Sequence, residues 1–290
     1  MGSCDEECTT DPGQCGARTR KVNAPMYVFC CGMHRSGSTW HYMVASHLIE
    51  TRKGGRRLGL MDKENEFLDY DKSPDKFEGW QILKMHTPRQ VFAEALRGGA
   101  LAIYSYRDLR DAVFSLIKFR ETTFEEFVVR RDGLGELVEH DRFWRRQPAT
   151  LSQRYEDIMQ RPADCIAQIA LHLEVPLQAG EAESLAAQFS LSENMKRAVA
   201  VKKQRENLWP NLFLKPRSFD SQSLLHWNHI QSGKTGRWRD EATPEQIQHL
   251  ARILGAWLIE RGYETNLDWA KTPPAATAKA SAPDAQPWKT

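Results

Sequence analysis

The fold turns on Met26-Tyr-Val-Phe-Cys-Cys-Gly-Met-His-Arg-Ser-Gly-Ser-Thr-Trp40. Met26 to Cys31 is an unbroken apolar run, the pattern of a strand buried on both faces. A glycine-rich bend follows from Gly32 to Gly37, and Ser38 opens a helical pattern that continues to Glu50. A strand, a glycine-rich turn and a helix in that order make a phosphate loop, because the N–H groups at a helix start converge on an anion. The spacing fits G-x4-G-x-[ST], but Ser38 stands where an ATP- or GTP-binding loop carries its lysine. The loop's cation is instead Arg35. Without that lysine, and without a downstream acidic strand to hold Mg²⁺, nucleoside triphosphate hydrolysis is disfavoured. The plainer alternative is a Gly/Ser turn that merely starts a helix; the flanking strand and Arg35 favour phosphate binding.

Outward from this stretch, strand and helix patterns alternate. Gln81–Lys84, Ala100–Ser105 and Leu151–Tyr155 read as further strands. Helical patterns cover about Arg89–Leu96, Asp108–Phe119 and Pro162–Leu173. Pro244 is well placed as the first-turn proline of a final amphipathic helix that runs to Arg261. This alternation implies an α/β fold, a single domain with a central parallel sheet flanked by helices. The domain is expected over residues 25–270, with a flexible polar arm at 1–24 and a flexible Pro/Ala-rich tail at 271–290. Residues 204–242 read as irregular, and an irregular stretch of that length is usually functional or disordered.

The chain has 290 residues, enough to bury a sizeable core, and its hydrophobic fraction of 41% excludes a wholly disordered protein. Lys+Arg number 40 against 38 Asp+Glu, a net charge of +2 that argues against bulk attraction to nucleic acid. A small anionic ligand needs only a local cluster of cations. No apolar run spans a bilayer, and the N-terminal sequence is not a secretory signal, so a cytoplasmic location is expected. The six cysteines, Cys4, Cys8, Cys15, Cys30, Cys31 and Cys165, form neither a disulfide framework nor a four-ligand metal set.

Four further segments extend the reading of the loop. Arg107 ends a strand and Ser115 lies two turns along the next helix, so both can face one site, with Arg suited to forked phosphate contacts. By itself the pair is weak, since Arg107 and Arg110 could equally be surface partners of Asp108 and Asp111. Lys84-Met-His86 closes a strand beside the loop, Tyr155-Glu-Asp157 follows another strand, and Gly233-Lys-Thr-Gly-Arg-Trp238 is a glycine loop with two cations. Together with Arg35-Ser-Gly-Ser-Thr-Trp40, these segments resemble, in order, the motifs of the sulfotransferases that use 3′-phosphoadenosine 5′-phosphosulfate (PAPS).

That resemblance implies a P-loop sulfotransferase fold and a set of roles. Arg35, Ser36, Gly37, Ser38 and Thr39 would bind the 5′-phosphosulfate, and Trp40 and Tyr155 the adenine. Arg107, Ser115, Ser232, Gly233 and Lys234 would hold the 3′-phosphate. His86 would be the catalytic base, with Lys84 and Arg35 stabilising charge on the transferring group. The cofactor would be PAPS, the product 3′,5′-ADP (PAP), and no metal is implied. Two departures stand out: Gln231-Ser232 replaces the Arg-Lys that many cytosolic members carry before the glycine loop, and Arg35 replaces their lysine.

The acceptor implied is a small molecule, an alcohol, phenol or amine of specialised metabolism, with no nucleic-acid or membrane partner. Residues 52–80, 120–147 and 204–228 would wall its pocket. Asp62, Glu64, Glu66, Asp69 and Asp71 form either a solvated charged loop or a binding surface for a cationic acceptor. Trp209, Phe213, Phe219 and Trp227 are aromatic candidates for the wall. Asp240-Glu-Ala-Thr-Pro244 does not reproduce the family's short dimerisation segment, so the oligomeric state stays open. A P-loop nucleotide kinase and a non-catalytic nucleotide-binding module remain as alternatives.

Overall fold

A computed structural model describes residues 25–129, 133–208, 220, 222–226 and 233–271, the side chains of 204–208 excepted. Its frame is a five-stranded sheet in the order β2-β3-β1-β4-β5. The strands are β1 (Met26–Gly32), β2 (Arg56–Leu60), β3 (Trp80–Lys84), β4 (Leu101–Tyr106) and β5 (Thr150–Arg154). Every neighbouring pair is parallel. The apolar run of β1 is buried along its whole length, as its central place in the sheet requires.

The pleat of β1 divides the core in two. Tyr27, Phe29 and Cys31 face one hydrophobic cluster, and Val28 and Cys30 face the other. The first cluster is closed by α3 (Gln90–Arg97), α4 (Leu109–Arg120), α5 (Gly133–Arg145) and α11 (Pro244–Glu260). The second is closed by α1 (Ser38–Lys53), α7 (Pro162–His172), α8 (Glu181–Gln188) and α9 (Leu191–Leu208). The short elements α2 (Glu64–Lys72), α6 (Tyr155–Gln160) and α10 (Trp238–Glu241) complete the described α-helices, beside a π-helical turn at Glu125–Val129 and a 3-10 turn at Asp268–Ala270. The helix after β1 and the helix after β4 thus lie on opposite faces. Neighbouring strands whose chains depart to opposite faces leave a crevice at their carboxyl ends, the usual ligand site of an open α/β sheet.

Sequence patterns miss one strand. Arg56–Leu60 begins in the run Arg52–Arg57, which reads as solvated charge, yet it pairs with β3 as the sheet's edge. An edge strand needs no continuous apolar run: Arg57 reaches Glu50 at 2.7 Å, and the register shifts between Arg57 and Gly59. The stretch 204–242 is also less irregular than its composition implies, because α9 continues to Leu208 and α10 is a single turn at Trp238–Glu241. One turn is too short to show a period. Pro244 opens α11 as expected, with Thr243 and Gln246 forming a reciprocal cap. The cysteine-bearing arm and the C-terminal tail lie outside the described residues, while Cys30, Cys31 and Cys165 are buried free thiols.

Candidate active site

The loop from Gly32 to Gly37 is shaped by close approach as much as by backbone freedom. A Cβ on Gly32 would meet Ser105 Oγ at 2.2 Å, so only glycine lets the chain pass β4 there. Arg35 has φ 68° and Gly37 φ 93°, which turns the chain back over the start of α1. Ser36 is fully buried and its hydroxyl faces inward, 2.6 Å from the Met33 carbonyl and 2.8 Å from Ser105 Oγ. It locks the loop to β4. Helix α1 has no acidic residue in its first turn and no side-chain cap, which leaves its leading N–H groups to an anion.

The two halves of the Arg–Ser motif meet the loop rather than each other. Arg35 Nε donates to Ser115 Oγ at 2.8 Å. Arg107 donates to the Lys234 carbonyl at 3.0 Å and stacks 4.4 Å above the Tyr155 ring. Its Nε is buried with no hydrogen-bond partner among the described residues. Burial, and next the Arg107 guanidinium, push the Arg35 pKa down to about 10. Two neighbouring cations, a half-buried Arg35 and a buried Arg107 with an orphaned donor, fit a polyanion placed between them.

Asp111 holds this arrangement together. Its carboxylate accepts from Gly236 N at 2.7 Å, from Trp238 N at 3.1 Å and from Arg107 at 3.4 Å. It thereby fastens the glycine loop of 233–238 to α4. In the sequence Asp111 reads only as a surface ion-pair partner, and no local pattern marks its backbone contacts 125 and 127 residues away. Arg110 does pair with Asp108, at 2.7 Å, but as a buried unit with its guanidinium against Trp238 and Trp269. Lys234 directs its ammonium to Asp240 at 2.9 Å and offers Arg107 its carbonyl. Gly233, at φ 70°, packs against Met159. Ser232 lies outside the described residues.

Lys84 and His86 arrive from β3. The register pairs Cys30 with Lys84 and Gly32 with Ser105, so the ends of β3, β1 and β4 stand side by side. Lys84 Nζ donates to Thr39 Oγ1 at 2.7 Å, so an ammonium from a neighbouring strand enters the loop that lacks its own lysine. Lys84 is 6% exposed, and burial pushes its pKa down to about 8, opposed by the Asp62 charge. His86 Nδ1 lies 2.9 Å from the Gly32 carbonyl. A carbonyl only accepts, so Nδ1 carries the proton and Nε2 presents a lone pair. Burial, and next the Lys84 charge, hold the His86 pKa well below its ordinary value. Its ring stacks on His34 at 4.4 Å, and its backbone N–H donates to Asp62 at 2.5 Å. His34 does not show as a site residue in the sequence, and Asp62 shows there only as one of the acids offered to a cationic acceptor, not as a partner of His86.

These side chains line one cavity of about 560 Å³ that runs from Trp40, Tyr155 and Gly233 past Arg35 and Lys84 to His86 and Phe119. Trp40 is half-buried, with Nε1 donating to the Phe189 carbonyl at 3.1 Å. Of the segments expected to wall an acceptor pocket, Leu60, Arg120 and the 225–226 pair reach the cavity. None of Asp62, Glu64, Glu66, Asp69 and Asp71 lines it, and Glu64, Glu66 and Asp69 are exposed on α2. Trp209, Phe213, Phe219 and Trp227 lie outside the described residues. Among the described residues no cluster of His, Cys, Asp and Glu could hold a metal, and no helix is long and apolar enough to cross a membrane.

Comparison with known proteins agrees with this fold. The chain is similar to solved structures of retinol dehydratase with retinol and PAP, at 20% identity over 81% of this chain and 82% of that one, TM-score 0.60. A mouse sulfotransferase, SULT7A1, complexed with PAP matches at 14% identity over 85% of this chain and 88% of that one, TM-score 0.59. Retinol dehydratase with androsterone and inactive cofactor PAP matches at 19% identity over 80% of each chain, TM-score 0.59. No curated protein sequence matches significantly. The sulfotransferase domain family matches residues 25–262, most of the chain. With its phosphate loop, sheet and strand-end cations accounted for, the chain belongs to the sulfotransferase domain family.

Proposed function

We propose that the chain moves the sulfuryl group of PAPS to a hydroxyl or amine of a small-molecule acceptor, with His86 as general base. The observation that carries this reading is the His86 Nδ1 bond to the Gly32 carbonyl. It leaves Nε2 unprotonated beside the loop that carries Arg35 and leads into Thr39. PAPS supplies an activated sulfonate on a phosphate leaving group.

His86 Nε2 takes the acceptor proton as the acceptor oxygen or nitrogen bonds to sulfur and the sulfur–phosphate oxygen bond breaks. PAP leaves with that electron pair. Such a base is worth about 10²–10⁴ in rate. Lys84 and Arg35 neutralise charge growing on the leaving phosphate, and Ser38 and Thr39 with the α1 N–H groups hold the 5′-phosphate. Arg107, with its orphaned Nε, and Ser115 take the 3′-phosphate together with Gly233 and Lys234. Trp40 and Tyr155 bracket the base ring.

Structures of the fold hold retinol or androsterone with PAP, which supports a small-molecule acceptor here. A cytoplasmic location is the matching proposal, supported by the free thiols of the described cysteines. Titrating the full chain with PAP in a calorimeter tests the reading. Binding that is lost when the 3′-phosphate is removed supports it, and no heat of binding refutes it.

A further inference from the structure

The cavity's charges are one-sided. Its lining includes several Arg and Lys side chains and no Asp or Glu. Most of these cations are committed. Arg35, Lys84 and Arg107 converge on the phosphate loop. Lys234 pairs with Asp240 and Arg237 with Glu241.

Arg120 is different. It lies in the last turn of α4, five residues past Ser115, which places it about 7.5 Å further along the helix axis and away from the 3′-phosphate end. Among the described residues no carboxylate stands within ion-pair distance of it. Its guanidinium lies 5.2 Å from the Phe127 ring. It is close enough to His34 to rank second, after burial, among the influences that lower that imidazole's pKa, and His34 stacks on His86. The end of the cavity that opens beside the base is therefore walled by Leu60, Leu116 and Phe119 and carries one cation, the exposed Arg120, with no counter-ion among the described residues.

We propose that this end receives an acceptor with an apolar, aromatic-sized body and an anionic group, such as a carboxylate, recognised by Arg120. The acidic residues of 62–71, which could have recognised a cationic amine, line no part of the cavity. An ammonium placed there would meet Arg120 with no carboxylate in the described lining, the nearby Asp62 accepting from the His86 backbone N–H behind it, whereas a carboxylate would gain a forked, charge-assisted partner. A cation in the last turn of a helix also complements the helix dipole. That role alone leaves acceptor preference untouched, so the two are separable.

The inference rests on the sulfotransferase reading above, and its test keeps the two apart. The full chain and its Arg120→Ala and Arg120→Glu variants are given PAPS and three matched phenols: hydroxyphenylpropionate, its methyl ester and tyramine. PAP affinity is measured alongside. The expected result is a kcat/KM for the acid about ten-fold above that for the ester, a preference that collapses in Arg120→Ala. Arg120→Glu shifts the preference to tyramine. Both variants keep the parent's PAP affinity. An acid-to-ester ratio that is the same in parent and Arg120→Ala, or a parent that prefers tyramine, overturns the proposal. If PAP binds and none of the three phenols turns over, their affinities for the protein–PAP complex decide: equal binding of acid and ester also overturns it. Failure to bind PAP at all strikes the sulfotransferase reading instead.

Discussion

Arg35 Nε donates to Ser115 Oγ at 2.8 Å across 80 residues of chain, joining the phosphate loop after β1 to the helix after β4. One hydroxyl thus orients the loop's cation and faces the place proposed for the 3′-phosphate. Ser115→Ala removes both services and is expected to weaken PAP binding about ten-fold, and Arg107→Ala about a hundred-fold, as loss of charge-assisted bonds implies. Binding of adenosine 5′-phosphate should change little in Arg107→Ala. Calorimetry on both ligands checks this, and equal losses for the two would count against a 3′-phosphate at Arg107.

Asp111 ties Gly236, Trp238 and Arg107 to α4. Asp111→Asn keeps the volume but loses the charge and one acceptor, leaving a buried N–H poorly matched. Unfolding in denaturant should show a loss of about 1–3 kcal/mol. PAP affinity should fall with it, because the loop that covers Arg107 is released. A variant that loses stability but binds PAP as the parent does would confine Asp111 to a scaffolding role.

The pH dependence follows from the two groups at the end of β3. His86 is held well below its ordinary pKa by burial and by Lys84, so it stays neutral through the physiological range. Protonation of the base should therefore not limit kcat/KM between pH 6 and pH 7, taking about 6.5 as the ordinary histidine value. Lys84, pushed down to about 8, is charged below that pH and loses its proton as pH rises through it. The profile of kcat/KM should fall above about pH 8, because it reports the free enzyme. In kcat that limb should move upward, since a bound anion favours the ammonium. Lys84→Arg should abolish the limb, and its persistence there would assign it to another group.

The parts of the site that are local in sequence were legible there. The loop, Lys84-Met-His86 and the strand-end Arg107 each announce themselves by residue type at a strand end, and the parallel sheet brings strand ends together. What depends on distant packing was not legible. His34 gives no signal of its own, and its stack on His86 exists only because β1 and β3 are neighbours. Asp111 looks like an ordinary helical acid until the 233–238 loop folds onto it. β2 escaped because an edge strand satisfies its charges at the surface, so Arg56 and Arg57 obscure the pattern.

His86 is the group on which the account stands, and exchanging it tests the account most directly. With PAPS and a phenolic acceptor, the parent chain should yield sulfated phenol and PAP in equal amounts. His86→Ala should bind PAP as the parent does and turn over at least about 100-fold more slowly, the loss expected for a missing general base. A His86→Ala variant that binds PAP and transfers the sulfuryl group at the parent's rate would contradict the assignment.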